Sequence, residues 1–480
     1  MRRKAGGGWA GAGARVGSMG PRRRLTALAA GGLVLAVAAC SGGSGASGGS
    51  GGAGGSGGSD GAGTPASSHP GSPVAPASPG GPASPARPLR GPPLPSGMTA
   101  LTPAQLRRAY DVNPLLRRGI DGRGQTIVIV DPFGSPSIEH DLAYFDQEFG
   151  LPAPPSLKVI QPTGPVPPYR PDPNRATAAA ETTLDVEAAH VMAPGASLLV
   201  AETNKVELEG RTGFPQIVAA EKYVIRHHLG GVISQSFGAT EETFASAAGL
   251  RSLRGSFLLA ARPAYRVTVL AATGDTGAAG YTYSMAGVFP SPAVSWPASD
   301  PLVTAVGGTE LNLSPAGRRR SQDVAWPQGG GGRSSVFARP SYQERLPGVT
   351  AAHRVIPDIA MDGSCDSGMA AFGVGQSARP KPGWFVACGT SLSTPLLAGL
   401  VALAGQQAGH SLGLINPALY RMAAAHDRGI VDVRRGDNSY PLSGSPSVHG
   451  FTAGPGYDLT TGVGTVDAAY FVPGLARLAG

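Results

Sequence analysis

Beyond residue 100 the apolar positions fall into short unbroken runs separated by stretches of helical period. The first run, Gln125-Thr126-Ile127-Val128-Ile129-Val130-Asp131, is β-branched throughout its middle and suits a strand buried on both faces. Comparable runs recur at 196–201, 231–236 and 265–272. Between them, residues 178–192, 214–228 and 242–261 carry apolar side chains at the three- and four-residue spacing of helices. Strand, helix, strand in repetition predicts an α/β fold with a parallel sheet. Leu101-Thr102-Pro103-Ala104-Gln105 predicts a helix start, with Thr102 as N-cap and Pro103 in the first turn. After Val303-Thr304-Ala305-Val306-Gly307-Gly308 the spacing changes to loops and hairpin-like pieces, until a long apolar helix follows Ser391. No internal repeat of fixed period is present.

Residues 1–100 are of another kind. They hold 27 of the 73 Gly, 12 of the 45 Pro, and nine Lys or Arg against the single Asp60. The remaining 380 residues therefore carry 30 basic and 30 acidic side chains, so the net charge of +8 belongs to the leader. A charge-balanced body gives no electrostatic case for nucleic-acid binding. Residues 25–39 form an apolar run behind Arg22, Arg23 and Arg24, too short to span a membrane comfortably. This predicts an export signal starting at Met19. Its end, Val37-Ala38-Ala39-Cys40, resembles a bacterial lipobox, which implies lipidation at Cys40 and a membrane anchor; a plain secretory signal is the alternative. Residues 41–98 are a Gly/Ser- and then Pro-rich tether that cannot bury a core. Residues 99–480 are expected to form the functional domain, extracytoplasmic and monomeric.

Two further cysteines, Cys365 and Cys388, remain in an exported chain, and an even number in an oxidising compartment favours a disulfide over two free thiols. Neither has a CxxC partner or a nearby His pair that would suggest zinc.

Three places at the expected strand ends, where ligands of parallel sheets bind, carry candidate chemistry. Glu181 and Asp185 stand four residues apart on a predicted helix, hence on one face, where two carboxylates would share a proton and could supply a general base in acid. A solvated acidic helix face is the plainer reading. Asp275, between Gly274 and Thr276-Gly277 directly after the 265–272 run, reads as a turn residue or a functional acid. Cys388-Gly389-Thr390-Ser391 leads into the last helix, so Ser391 is either a nucleophile above a helix N-terminus or, like Thr390, a simple N-cap.

Taken together, these motifs resemble the sedolisin family of serine-carboxyl peptidases. Gly389-Thr390-Ser391 with Pro395 resembles its nucleophile motif, Glu181 with Asp185 its acidic pair, and Gly274-Asp275-Thr276-Gly277 its oxyanion motif. Ala193-Pro194-Gly195-Ala196 and Trp296-Pro297-Ala298-Ser299 agree. The resemblance runs from about residue 101 to 472 and implies a subtilisin-like parallel sheet flanked by helices, in a single catalytic domain. It implies Ser391 as nucleophile, Glu181 as general base, Asp185 as its orienting partner, and a protonated Asp275 donating to the oxyanion. It implies cleavage of peptide or protein substrates, internally or by removal of tripeptides, in acid. It also implies one structural Ca²⁺, held by Asp432, Asp458 and the carbonyls of Val433, Gly454 and Gly456; a metal-free Gly/Asp-rich loop is the alternative.

Some features depart from the family pattern. No folded pro-segment is expected between the tether and the domain, and Phe237 stands where the family often carries Trp. Two rival readings compete. One is a Ser-His-Asp subtilase using Asp131, His190 and Ser391, although His190 lies nine residues from Glu181 on the opposite face of that helix. The other is a surface lipoprotein that keeps the fold as a non-catalytic binding module.

Overall fold

Seven strands of the computed structural model run parallel. They are β1 (Thr126–Pro132), β2 (Leu157–Ile160), β3 (Ser197–Thr203), β4 (Val232–Gln235), β5 (Thr268–Ala272), β6 (Thr304–Glu310) and β7 (Ile359–Asp362). Their order across the sheet is β7-β6-β5-β4-β1-β3-β2, with Val324–Ala325 added antiparallel to β6. The structure describes residues 99–479 apart from 171–172, 206–212, 284–286, 347–348, 350, 375–381 and 442–447. The leader, Cys40 and the tether lie outside the described residues. Among the described residues no helix is long and apolar enough to cross a membrane.

The four strands expected from their apolar runs all form, with ends shifted by at most three residues. Alternation along β1 shows why such runs need no polar face. Ile127 and Ile129 enter one core, Val128 and Val130 the other. The first core packs under α1 (Pro103–Ala109), α2 (Ile138–Phe149), α3 (Pro173–Met192), α5 (Thr390–Ala408) and α6 (Ala468–Leu478). The second packs against α4 (Phe214–Arg226) around Phe214, Phe257 and Trp296. Helix α1 starts as expected, because Thr102 and Gln105 cap each other's backbone reciprocally.

Two expectations need correction. Residues 242–261 hold two short helices, Ala247–Ser252 and Gly255–Ala260, with Ser246 capping the first and the break falling at Leu253 and Arg254. The part after residue 308 also supplies a sheet strand, β7, which pairs with β6 from Ile359↔Val306 to Asp362↔Thr309. Its join is fixed by a buried ion pair. Asp358 accepts from Arg354 Nη1 at 2.7 Å, from Tyr420 OH at 2.8 Å and from the Ala305 amide at 2.8 Å, so neither charge is left uncompensated.

Helices α3 and α5 carry the site. Helix α5 is apolar all round and its Leu392, Leu396, Leu397, Leu400 and Leu403 are fully buried. Each such side chain contributes about 1.5–3 kcal/mol of burial. Gly399 lets the two helices touch, because a Cβ there would stand 2.5 Å from Met192 Cβ and 3.0 Å from the Ala189 carbonyl.

Candidate active site

The turn before Ser391 is held from three sides. Cys388 is bonded to Cys365 with a Cα–Cα distance of 4.9 Å, as the cysteine count predicts. Gly389 sits at φ 96°, a conformation that side chains avoid, and its amide donates to the Gly363 carbonyl at 2.7 Å. Gly389 is also the N-cap, so Thr390 and Ser391 open α5 inside the helix, with Ser391 only 4% exposed. The N-cap reading of both residues is therefore wrong, and the physical reason is the glycine turn itself.

The acidic pair lies in the core. Every residue of α3 from Ala178 to Met192 is buried, which removes the solvated-face reading of Glu181 and Asp185. Ser236, just past the end of β4, donates from Oγ to Asp185 Oδ1 at 2.7 Å and lies 3.3 Å from the Ser391 carbonyl oxygen. One hydroxyl thus ties the acidic helix to the serine turn. Burial, then Asp131, then Glu181 hold the Asp185 carboxyl well above the usual carboxylate range, against the opposing Ser236 hydrogen bond. Its environment accordingly favours the protonated carboxyl.

Asp131 completes this group. It stands next to the end of β1, opposite Glu202 of β3, buried, and burial pushes its carboxyl up to about 7, with Glu202 adding to the rise and Thr182 opposing it. In the sequence it drew notice only as a member of a Ser-His-Asp triad. That triad does not form. His190 is engaged on the far side of α3, with Nε2 bonded to the Pro152 carbonyl at 2.9 Å and 3.1 Å from Asp146 Oδ1.

Asp275 follows β5 and meets the serine turn from the other side. Its Oδ1 accepts from the Thr390 amide and from Thr390 Oγ1, both at 2.8 Å, while Oδ2 is buried with no protein partner. Burial pushes this carboxyl up to about 6, against the two Thr390 hydrogen bonds. A buried acid with one oxygen unengaged can, while protonated, donate a hydrogen bond to an anionic oxygen beside it.

The Phe237 side chain turns away from this group into the second core, 6.4 Å from Phe214 between ring centroids. Ser236, the residue before it, makes the contact to Asp185 instead.

The loop near the C-terminus carries the two carboxylates expected to hold a cation, Asp432 and Asp458. Asp432 Oδ2 accepts the Gly456 amide at 3.1 Å, and Asp458 Oδ2 accepts the Gly454 amide at 3.0 Å, so the two carboxylates bracket residues 454–458. Asp432 Oδ1 is buried without a protein partner, Val433 is buried beside it, and Arg434 pairs with Asp432 from the solvent side. Two carboxylates among backbone carbonyls are oxygen donors of the calcium type. Among the described residues no three His, Cys, Asp or Glu side chains converge on a metal, so the carbonyls would have to complete any such site.

The chain is similar to known proteins over much of its length. The sequence profile of the Subtilase family matches residues 175–426. Kumamolisin of Bacillus sp. (strain MN-32) is 32% identical over 386 residues, 76% of this chain and 62% of that protein. Tripeptidyl-peptidase 1 of Canis lupus familiaris is 32% identical over 314 residues, 61% of this chain and 51% of that protein. The chain thus spans between half and two thirds of these relatives' length. Among solved structures, Pseudomonas sedolisin, described as a serine-carboxyl proteinase complexed with two molecules of pseudo-iodotyrostatin, superposes with a TM-score of 0.65 at 26% identity. That match covers 80% of this chain and all of the other.

Proposed function

The chain belongs to the subtilase family, with the sedolisins, and from that premise we propose that it is a serine-carboxyl peptidase that cleaves peptide bonds through an acyl-enzyme. One observation carries the reading. Asp275 is bonded to the residue beside Ser391, and Asp185 is joined through Ser236 to the carbonyl of Ser391 itself. Two carboxyl groups of raised proton affinity therefore flank one buried serine.

In the proposed reaction Ser391 Oγ attacks the peptide carbonyl while its proton passes to Glu181, which Asp185 orients as a neutral hydrogen-bond donor. The carbonyl oxygen becomes an oxyanion and accepts a hydrogen bond from the protonated Asp275. Collapse expels the amine, which takes the proton from Glu181. Water then repeats the sequence on the ester and frees the acid product. Asp275 can donate only while protonated, so the rate should fall as pH rises through about 6. The substrates are peptides or proteins. Calcium, held by Asp432, Asp458 and the carbonyls of Val433, Gly454 and Gly456, would stiffen the C-terminal loop rather than take part in the reaction. Export through the leader and lipidation at Cys40 would place the domain outside the cytoplasm.

The test is peptide hydrolysis by the mature chain against pH, beside Ser391→Ala and Glu181→Gln. A rate that needs both residues and declines above about pH 6 supports the proposal. A rate that survives Glu181→Gln, or the absence of any Ser391-dependent rate, overturns it.

A further inference from the structure

We infer that Thr390 is a positioning residue that decides which oxygen of Asp275 carries the proton, and so aims the carboxylic acid at the oxyanion. The inference rests on the peptidase reading and adds a residue that reading does not need.

A protonated carboxyl group has one hydroxyl oxygen and one carbonyl oxygen, and a donor must present the hydroxyl to its acceptor. Nothing in an isolated Asp chooses between the two. Here Thr390 supplies two donors to the same oxygen, its amide and its hydroxyl each 2.8 Å from Asp275 Oδ1. Two incoming protons fill the acceptor positions of Oδ1, and a third proton on that oxygen would face them. The acid proton is thereby forced onto Oδ2, the buried oxygen without a protein partner. The Thr390 hydroxyl cannot easily turn away, because its oxygen accepts the Gly274 amide at 3.0 Å, which leaves its own hydrogen for Asp275. Residue 274 precedes the acid and residue 390 precedes the nucleophile, so the same three bonds set the distance between the two reacting groups.

The arrangement has a cost with a readable sign. Both Thr390 bonds favour the carboxylate and pull the Asp275 proton affinity down, against the larger effect of burial. The other titratable group that senses Asp275 is Tyr281, which burial, Tyr440 and Asp275 push up to about 12, so it stays neutral where Asp275 titrates. Removing the Thr390 hydroxyl should therefore lower kcat by about tenfold through lost aim, the effect of one neutral hydrogen bond. The same change should move the alkaline limb of the pH profile upward.

The experiment compares kcat, KM and their pH profiles for the wild-type mature chain, Thr390→Val and Thr390→Ser, with circular dichroism of each. The expected result is a kcat loss with KM little changed and a raised alkaline limb for Thr390→Val, and near wild-type behaviour for Thr390→Ser, which keeps both donors. A Thr390→Val profile that superimposes on the wild type overturns the inference, as does a kcat loss with an unmoved limb or an equal loss in Thr390→Ser. Asp275→Asn against Asp275→Ala provides a second measure independent of how Thr390→Val folds. Two donors on the Oδ1 side should seat the amide oxygen there and its NH₂ on the other, so Asn should outperform Ala by at least tenfold and show no alkaline limb. Equal activity of the two overturns the inference. Loss of the Ser391-dependent rate in the wild type would instead sink the peptidase reading.

Discussion

Ser236 donates a 2.7 Å hydrogen bond to Asp185 from a point 3.3 Å from the Ser391 carbonyl. This hydroxyl bridges the acidic helix and the serine turn, and it favours the ionised form of Asp185. Ser236→Ala should raise the Asp185 proton affinity further and reduce kcat by about tenfold, the equivalent of about 1.4 kcal/mol, with stability lowered by about 1 kcal/mol. Steady-state kinetics in acid, together with a thermal melt, check both figures. An unchanged kcat would show that Glu181 is oriented without this contact.

Stability should increase on acidification. Burial pushes Asp275 up to about 6, Asp131 to about 7 and Glu221 to about 8, all above the values these groups have in an unfolded chain. The folded state then binds more protons than the unfolded one across this interval. Their contribution is fully present below about pH 4, where unfolded carboxyls are protonated, and is lost as pH rises through about 6 to 8. Melting temperatures measured from pH 8 down to pH 5 should climb, and a flat or falling series would contradict the burial of these acids.

The disulfide should stabilise the turn before Ser391 and the fold together. Cys365 and Cys388 are 23 residues apart, and closing a loop of that size restricts the unfolded chain by about 3 kcal/mol. The double variant Cys365→Ala/Cys388→Ala should lose about that much in denaturant midpoint analysis. Its kcat should fall as well, because Cys388 abuts Gly389, whose amide is anchored to Gly363.

Calcium removal should lower the melting temperature of the wild type and not that of Asp432→Ala. Asp432 Oδ1 is buried and without a protein partner, so a cation is the natural complement of that oxygen. Chelator titration followed by calorimetry checks the difference. Asp458→Ala should be more damaging, since Asp458 Oδ1 also accepts the amides of Thr460 and Thr461 at 2.9 and 2.8 Å.

Much of this was legible in residues. Ile127 to Val130 announced a doubly buried strand because both sheet faces are covered, and Gly389-Thr390-Ser391 announced the tight turn into α5 because glycine readily accepts its backbone angle. Strand β7 was not, since Ile359–Asp362 is short and finds its place through Arg354 and Asp358, a tertiary pairing without local pattern. The contacts of Asp131, Ser236 and Thr390 were not legible for a related reason. Each stands where a strand or turn ends, and its meaning comes from a partner 51 to 115 residues away or on another strand. Asp131 could have been found by asking which carboxylate closes the strand beside that of the acidic helix.

Gly399 gives the two reactive helices a common fulcrum. It touches Ala189, and Ser391 and Glu181 each stand eight residues toward the N-terminus from that crossing, about 12 Å along their own helix. A methyl group inserted there acts as a wedge at the foot of two rods, and the displacement is felt at their tips. A residue with no side chain and no chemistry thereby sets the gap between Glu181 and Ser391. Mutational tolerance at Gly399 should look like that of a reacting group, and a survey that searched only for functional side chains would pass it by.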